Sequence, residues 1–189
     1  MVGVVRCGMR AVGVIAIAMA VAGCGLFRSR HHAASSDLRS RRLMVPVAGV
    51  AASRLTDTFD APRDGGRRRH NALDILAPLG TPVLSADDGV VLALRSNRLG
   101  GHVIYAADPA RRFVYYYAHL SRYQPSLAAG QSVRRGDVIG YVGATGNADP
   151  RWPHLHFQVM AFPPDDRWWT GVPIDPLRYF ASPGRAVTP

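Results

Sequence analysis

From Pro82 to Met160 the chain alternates short apolar runs with clusters of glycine, proline, aspartate and asparagine. No run in this stretch carries a sustained 3.6-residue period, so a long amphipathic helix is not expected there. The breaks flanking and dividing the runs fall at Pro78-Leu79-Gly80, Asp87-Asp88-Gly89, Leu99-Gly100-Gly101, Ala107-Asp108-Pro109 and Arg135-Gly136-Asp137. Turn signals at such regular spacing predict antiparallel strands at Pro82 to Ser85, Gly89 to Arg95, His102 to Ala106, Phe113 to His119, Val138 to Val142 and His154 to Met160. The fold class that follows is all-β, mainly antiparallel sheet with few short helical turns, one of them expected within Leu120 to Leu127. Two stretches rhyme, Gly80-Thr81-Pro82-Val83 with Asp88-Gly89-Val90-Val91, and Gly130-Gln131-Ser132-Val133 with Gly136-Asp137-Val138-Ile139-Gly140. Each reads as a strand, a tight turn and a returning strand.

The first segment has a different pattern. Arg6 and Arg10 precede an apolar run from Ala11 to Ala22, which ends in Val21-Ala22-Gly23-Cys24. A positive head, a short hydrophobic stretch and a small-residue exit are the layout of a secretory signal peptide, and the run is shorter than the ~20 apolar residues of a membrane helix. Its last four residues resemble the bacterial lipobox, whose cysteine is lipidated and becomes the mature N-terminus. Residues 24–44 are rich in arginine and serine without apolar periodicity and read as a flexible tether. Its arginines Arg28, Arg30, Arg39, Arg41 and Arg42 are suited to anionic lipid heads, and His31 and His32 read as solvated linker. The expected division is therefore a lipoprotein signal peptide at 1–23, a tether at 24–44 and one domain at 45–189. Cys7 would leave with the signal and Cys24 would carry lipid, so no thiol remains for a disulfide and the fold must hold by its core.

Composition narrows the chemistry. All 23 basic residues are arginine and all 13 acidic residues are aspartate, with a net charge of +10. Without a glutamate the chain cannot be an H-E-x-x-H metalloprotease, which uses that glutamate as its general base. A base must then be histidine, aspartate or a metal-bound hydroxide. The positive charge alone suits nucleic acid, anionic lipid or another acidic polymer. No aromatic-interleaved basic repeat or nucleic-acid motif accompanies it, so a nucleic-acid partner is not expected.

Pro153-His154-Leu155-His156-Phe157 puts two histidines two residues apart. On a strand His154 and His156 share one face while Leu155 and Phe157 point to the other. That arrangement suits metal binding or proton transfer, or simply the wet face of a half-buried strand. Upstream, His70, Asp74 and His119 add two imidazoles and a carboxylate, the donor types that zinc accepts. His70 and Asp74 would lie about 13 Å apart on a straight strand, so both reach one ion only if Asn71-Ala72-Leu73 bends. With both histidines of the pair on the ion the site is closed and structural. With one, the other stands beside a water as general base. Spacing alone leaves both open. His102 has no partner at ligand spacing and reads as structural or exposed. Arg67-Arg68-Arg69 beside His70 reads as a solvated loop in preference to a substrate-anion clamp. Trp168 and Trp169 line a groove or pack the C-terminal segment.

The ordered set His70-x-x-x-Asp74, Tyr117-Ala118-His119-Leu120 and Pro153-His154-Leu155-His156-Phe157 resembles the lysostaphin-type (LytM-like) zinc metallopeptidases that cut bacterial cell-wall peptides. The framing segments Ala77 to Val83, Asp88 to Val91, Gly136 to Gly140 and Gly143 to Asn147 match as well, over about Asp57 to Phe180. The resemblance implies a domain like a duplicated hybrid motif and one Zn2+ per chain held by His70, Asp74 and His156. It makes His154 and His119 the catalytic histidines that orient and deprotonate the water. It implies peptidoglycan as substrate, other cell-wall enzymes as a further partner class, and an exported envelope location with a membrane anchor at lipidated Cys24. The chain departs from many relatives at Asn71-Ala72-Leu73, at Gln158 where they have glutamate, and in the loop Ala148 to Trp152. A second reading is a catalytically silent wall-binding module that activates a partner hydrolase. Such modules usually lack metal ligands, whereas all five residues stand here. A third is a closed structural zinc site in an envelope scaffold.

Overall fold

A computed structural model describes residues 37–180. Every described residue falls in the unit Ala34–Pro189. The expected signal peptide, the expected lipobox with Cys24 and the first part of the expected tether lie outside the described residues.

Eleven strands are formed among the described residues: β1 (Pro62–Arg63), β2 (Arg68–Arg69), β3 (Leu73–Leu76), β4 (Pro82–Leu84), β5 (Gly89–Asn97), β6 (Gly101–Ala107), β7 (Phe113–Tyr123), β8 (Ser132–Val133), β9 (Val138–Val142), β10 (His154–Ala161) and β11 (Val172–Ile174). Strands β1 and β2 form a small hairpin of their own. The other nine form one antiparallel sheet whose main path is β11-β10-β7-β6-β5-β8, with β3 on β10 and β9 linking β7 to β4. Among the described residues helix is confined to one turn at residues 37–41 and four short 3-10 turns. The expected all-β class is what the chain adopts, and all six expected strands are present. The edge strands β1, β2, β3, β8 and β11 are two to four residues long, too short to show a period in the sequence.

The helical turn expected within Leu120 to Leu127 does not form. Strand β7 continues through Tyr123 because Leu120, Arg122 and Tyr123 pair with β9, and Leu120 is fully buried. Alternation on the long central strands then builds the core. Tyr115, Tyr117, Leu155, Phe157 and Val159 point inward with Ile104 and Leu120, and the Tyr117 and Phe157 rings lie 5.2 Å apart. The Tyr117 hydroxyl accepts from the buried Ala86 N–H at 3.0 Å.

The packed domain begins earlier than the expected boundary at Val45. Leu38 and Leu43 are fully buried in the core. Arg41 donates to Asp87 at 2.7 Å and Asp108 at 2.8 Å, and both carboxylates are buried. Tyr115 adds its hydroxyl to Asp87 at 2.8 Å. Two buried carboxylates without a cation would be costly, so Arg41 serves as their counter-ion and is not available to lipid heads.

Candidate metal centre

Strand β10 lies between β3 and β7, and this placement assembles the site. His156 is the cross-strand partner of Asp74 on one side and of Ala118 on the other. Directly paired residues in an antiparallel sheet project to the same face, so Asp74 and His156 meet without any loop.

His70 precedes β3 and reaches them by a bend. Asn71 sits in the left-handed region at φ 59°, a conformation that asparagine tolerates better than most residues. Thr58 fixes the bend from outside: its carbonyl accepts from His70 Nδ1 at 2.9 Å and its hydroxyl accepts from Asp74 N–H at 3.0 Å. The Nδ1 contact leaves His70 Nε2 as the free lone pair. That atom lies 2.9 Å from Asp74 Oδ1 and 2.9 Å from His156 Nδ1, and the last two are 3.1 Å apart. Three acceptors thus form a small triangle, the three-residue group among the described residues able to hold a metal ion. Tetrahedral zinc with ligands at about 2.0–2.1 Å spaces its donors by roughly 3.3 Å. The triangle fits such an ion after opening by a few tenths of an ångström.

His119 reaches the same face against strand alternation. Ala118 pairs with His156, so a regular continuation would turn residue 119 toward the core beside Tyr117. Instead His119 adopts φ 61°, and the register of β7 shifts between Leu120 and Arg122. Its ring then stands 5.0 Å from that of His154 and 5.6 Å from that of His156. His119 Nδ1 donates to the Thr145 carbonyl at 2.8 Å, and His154 Nδ1 donates to the Trp152 carbonyl at 2.8 Å. Both rings are thereby held with Nε2 free. His154 Nε2 is 3.7 Å from Asp74 Oδ1, beside the triangle but not one of its corners.

The local field suits this division. Burial raises the Asp74 carboxyl, but its close contacts with the His156 and His70 rings outweigh it and hold the group well below the usual carboxylate range. Burial pulls His119 down to about 4, against its bond to Thr145 and with help from His156 and His154. Burial lowers His156 too, against the pull of Asp74. At neutral pH His119 and His156 are therefore neutral acceptors.

Two clefts, of about 540 and 680 Å³, meet at the centre, and Asp74 and His154 line both. The first is bordered by Arg63, Arg68, Arg69, Tyr116 and Asn147. The second is lined by Leu55, Ile75, Leu76, Pro78 and Trp152. All five sequence-derived site residues fall together here. His102 lies elsewhere, with its ring 5.5 Å from that of Tyr123. Trp168 packs on Tyr105 at 4.5 Å while Trp169 stays exposed. Sequence reasoning missed Thr58, Thr145 and Trp152 as carbonyl or hydroxyl anchors, because backbone acceptors leave no residue signature. It also missed Arg63, whose Nη2 donates to Asp74 Oδ2 at 2.5 Å.

The family model described as Peptidase family M23 matches residues 68–176. The L-Ala–D-Glu endopeptidase of Bacillus subtilis (strain 168) is 36% identical over 137 residues, 70% of this chain and 40% of that protein. The peptidoglycan DD-endopeptidase ShyC of Vibrio cholerae is 33% identical over 99 residues, 52% of this chain and 22% of that protein. A crystal structure of a zinc-containing peptidase from Vibrio cholerae superposes with a TM-score of 0.52 at 27% identity, covering 72% of this chain and 36% of that one. The chain spans less than half the length of each of these relatives.

Proposed function

Because the chain belongs to peptidase family M23, we propose that it is a zinc-dependent endopeptidase that hydrolyses peptide bonds of peptidoglycan stem peptides or cross-bridges. The observation that carries this reading is the donor triangle His70, Asp74 and His156 at the junction of two clefts. A groove that continues on both sides of the chemistry accepts the interior of a peptide and not only its end.

His70 Nε2, Asp74 Oδ1 and His156 Nδ1 would hold one ion per chain. Their His2Asp donor set is one that zinc accepts, and three protein ligands leave a tetrahedral position free. Bound there, the ion would supply Lewis-acid polarisation of a carbonyl and would lower the pKa of water towards 7. His154, oriented by the Trp152 carbonyl, takes the proton of the attacking water at Nε2. His119, oriented by the Thr145 carbonyl, presents the second free Nε2 to the same space. The His154 imidazolium so formed donates a hydrogen bond to the oxyanion and then passes the proton to the departing amine.

The Bacillus subtilis relative is named for an L-Ala–D-Glu bond, which makes the stem peptide the first substrate to offer. The basic head, apolar run and Val21-Ala22-Gly23-Cys24 exit support export, with lipid on Cys24 holding the domain at a membrane of the envelope. Several acyl chains on that cysteine anchor firmly where one would not. Other cell-wall enzymes are the further partners this location supplies.

Digestion of purified peptidoglycan by the zinc-loaded full chain tests the reading, with products identified by mass. Release of peptides with new amino termini is expected. A zinc-loaded, folded protein that releases none would overturn it.

A further inference from the structure

The two clefts differ in chemistry. The second is lined largely by apolar groups, among them Leu76 and Trp152, whereas three arginines of the β1–β2 hairpin region border the first. Most of that charge is already spent. Arg63 is paired with Asp74, Arg67 with Asp64 at 2.9 Å, and Arg69 with Asp60 at 2.5 Å. Asp149, on another wall of the cleft, is held by Arg151 at 2.6 Å. Arg68 alone of the four hairpin arginines has no ion-pair partner among the described residues, and it lines the cleft. Arg69 beside it is tied only through an exposed pair, a contact worth little in water and readily exchanged.

We propose that the hairpin arm of the groove, centred on Arg68 with Arg69 in support, is a subsite for a free carboxylate on the substrate peptide. This rests on the peptidase reading. The unspent guanidinium stands on the wall of a cleft that ends at the donor triangle, so an extended peptide crossing the centre brings its neighbouring groups beneath it. Guanidinium is the side chain best matched to a carboxylate, through two parallel N–H donors. The carboxylate can come from within a stem peptide, as the α-carboxyl of a γ-linked glutamate, or from the peptide C-terminus.

Four synthetic pentapeptides of sequence L-Ala-γ-D-Glu-L-Lys-D-Ala-D-Ala separate these sources: the free acid, the internal carboxamide, the C-terminal carboxamide and the double carboxamide. Their binding is measured by calorimetry on the zinc-loaded full chain carrying His154→Ala, which slows turnover by about 10²–10⁴-fold. The free acid is expected to bind about tenfold more tightly than the double carboxamide. The single amide that reproduces the loss identifies the carboxylate. Arg68→Gln should remove the preference and Arg178→Gln, outside the cleft, should not. Affinities for free acid and double amide within twofold, failure of all four peptides to bind, or a preference that survives Arg68→Gln would each overturn the subsite. Turnover of the same peptides by the parent chain reports separately on the peptidase reading, which stands if all four are cut equally.

Discussion

Arg63 Nη2 lies 2.5 Å from Asp74 Oδ2, while Asp74 Oδ1 faces His70 and His156. The arginine occupies one carboxylate oxygen and leaves the other facing the two imidazoles, so in the proposed zinc site Asp74 is a one-oxygen ligand whose direction is fixed from the hairpin. Outer partners of this kind typically change metal affinity by about 10–100-fold when removed. Arg63→Ala is expected to weaken zinc binding within that range. Arg63→Lys, which keeps the charge but not the fork, should recover part of it. Competition against a chelating indicator measures both.

The imidazole pair on β10 should divide cleanly between holding metal and moving protons. His156→Ala removes a corner of the triangle, so zinc content of the purified full chain should fall from about one per chain to near zero. His154→Ala leaves the three corners in place. It should retain zinc while peptidoglycan hydrolysis drops by about 10²–10⁴-fold. Loss of metal in the His154 variant would instead mark a closed site with four protein ligands.

The Arg41 clip sets the stability of the domain at its N-terminal edge. Arg41→Ala leaves the buried Asp87 and Asp108 carboxylates with only the longer ion pairs of Arg135 at 3.4 Å and Arg112 at 3.8 Å, and losing the close partner of a buried carboxylate typically costs about 3 kcal/mol. A fall in Tm of roughly 10 °C is expected by scanning calorimetry of the full chain. Arg42→Ala provides the comparison: its side chain makes no ion pair among the described residues, and its Tm should stay within about 2 °C of the parent.

Acid should destabilise the metal-free protein through His119. Its folded pKa of about 4 lies below the ordinary histidine value of 6.5. Between these limits the unfolded chain binds a proton that the folded chain refuses, so stability falls as pH drops from about 6.5 to 4. The contribution is fully present above 6.5, where both states are neutral. Urea midpoints recorded at pH 7.5 and 4.5 should decrease with acid, and His119→Asn should flatten that slope. An equal slope in the variant would remove His119 as the cause.

The sequence by itself determined the class of fold and the cast of the site. Period-two alternation and glycine-rich turns mark β5, β6, β7, β9 and β10, because a long, half-buried strand must write its two faces into the chain. The histidines and the aspartate are visible because metal chemistry admits few residue types. Only the tertiary structure decided how they meet. Asn71 and His119 enter left-handed backbone that no spacing rule predicts, one folding His70 back onto Asp74 and the other turning a core-facing position outward. The pairing of β10 with both β3 and β7 sets Asp74 opposite His156. The residues before Val45 read as tether because arginine and serine dominate them. Yet Leu38 is buried in the core, Leu43 bridges to Phe180 and Arg41 reaches Asp87 and Asp108, and such long-range burial is decided by what the rest of the sheet leaves uncovered.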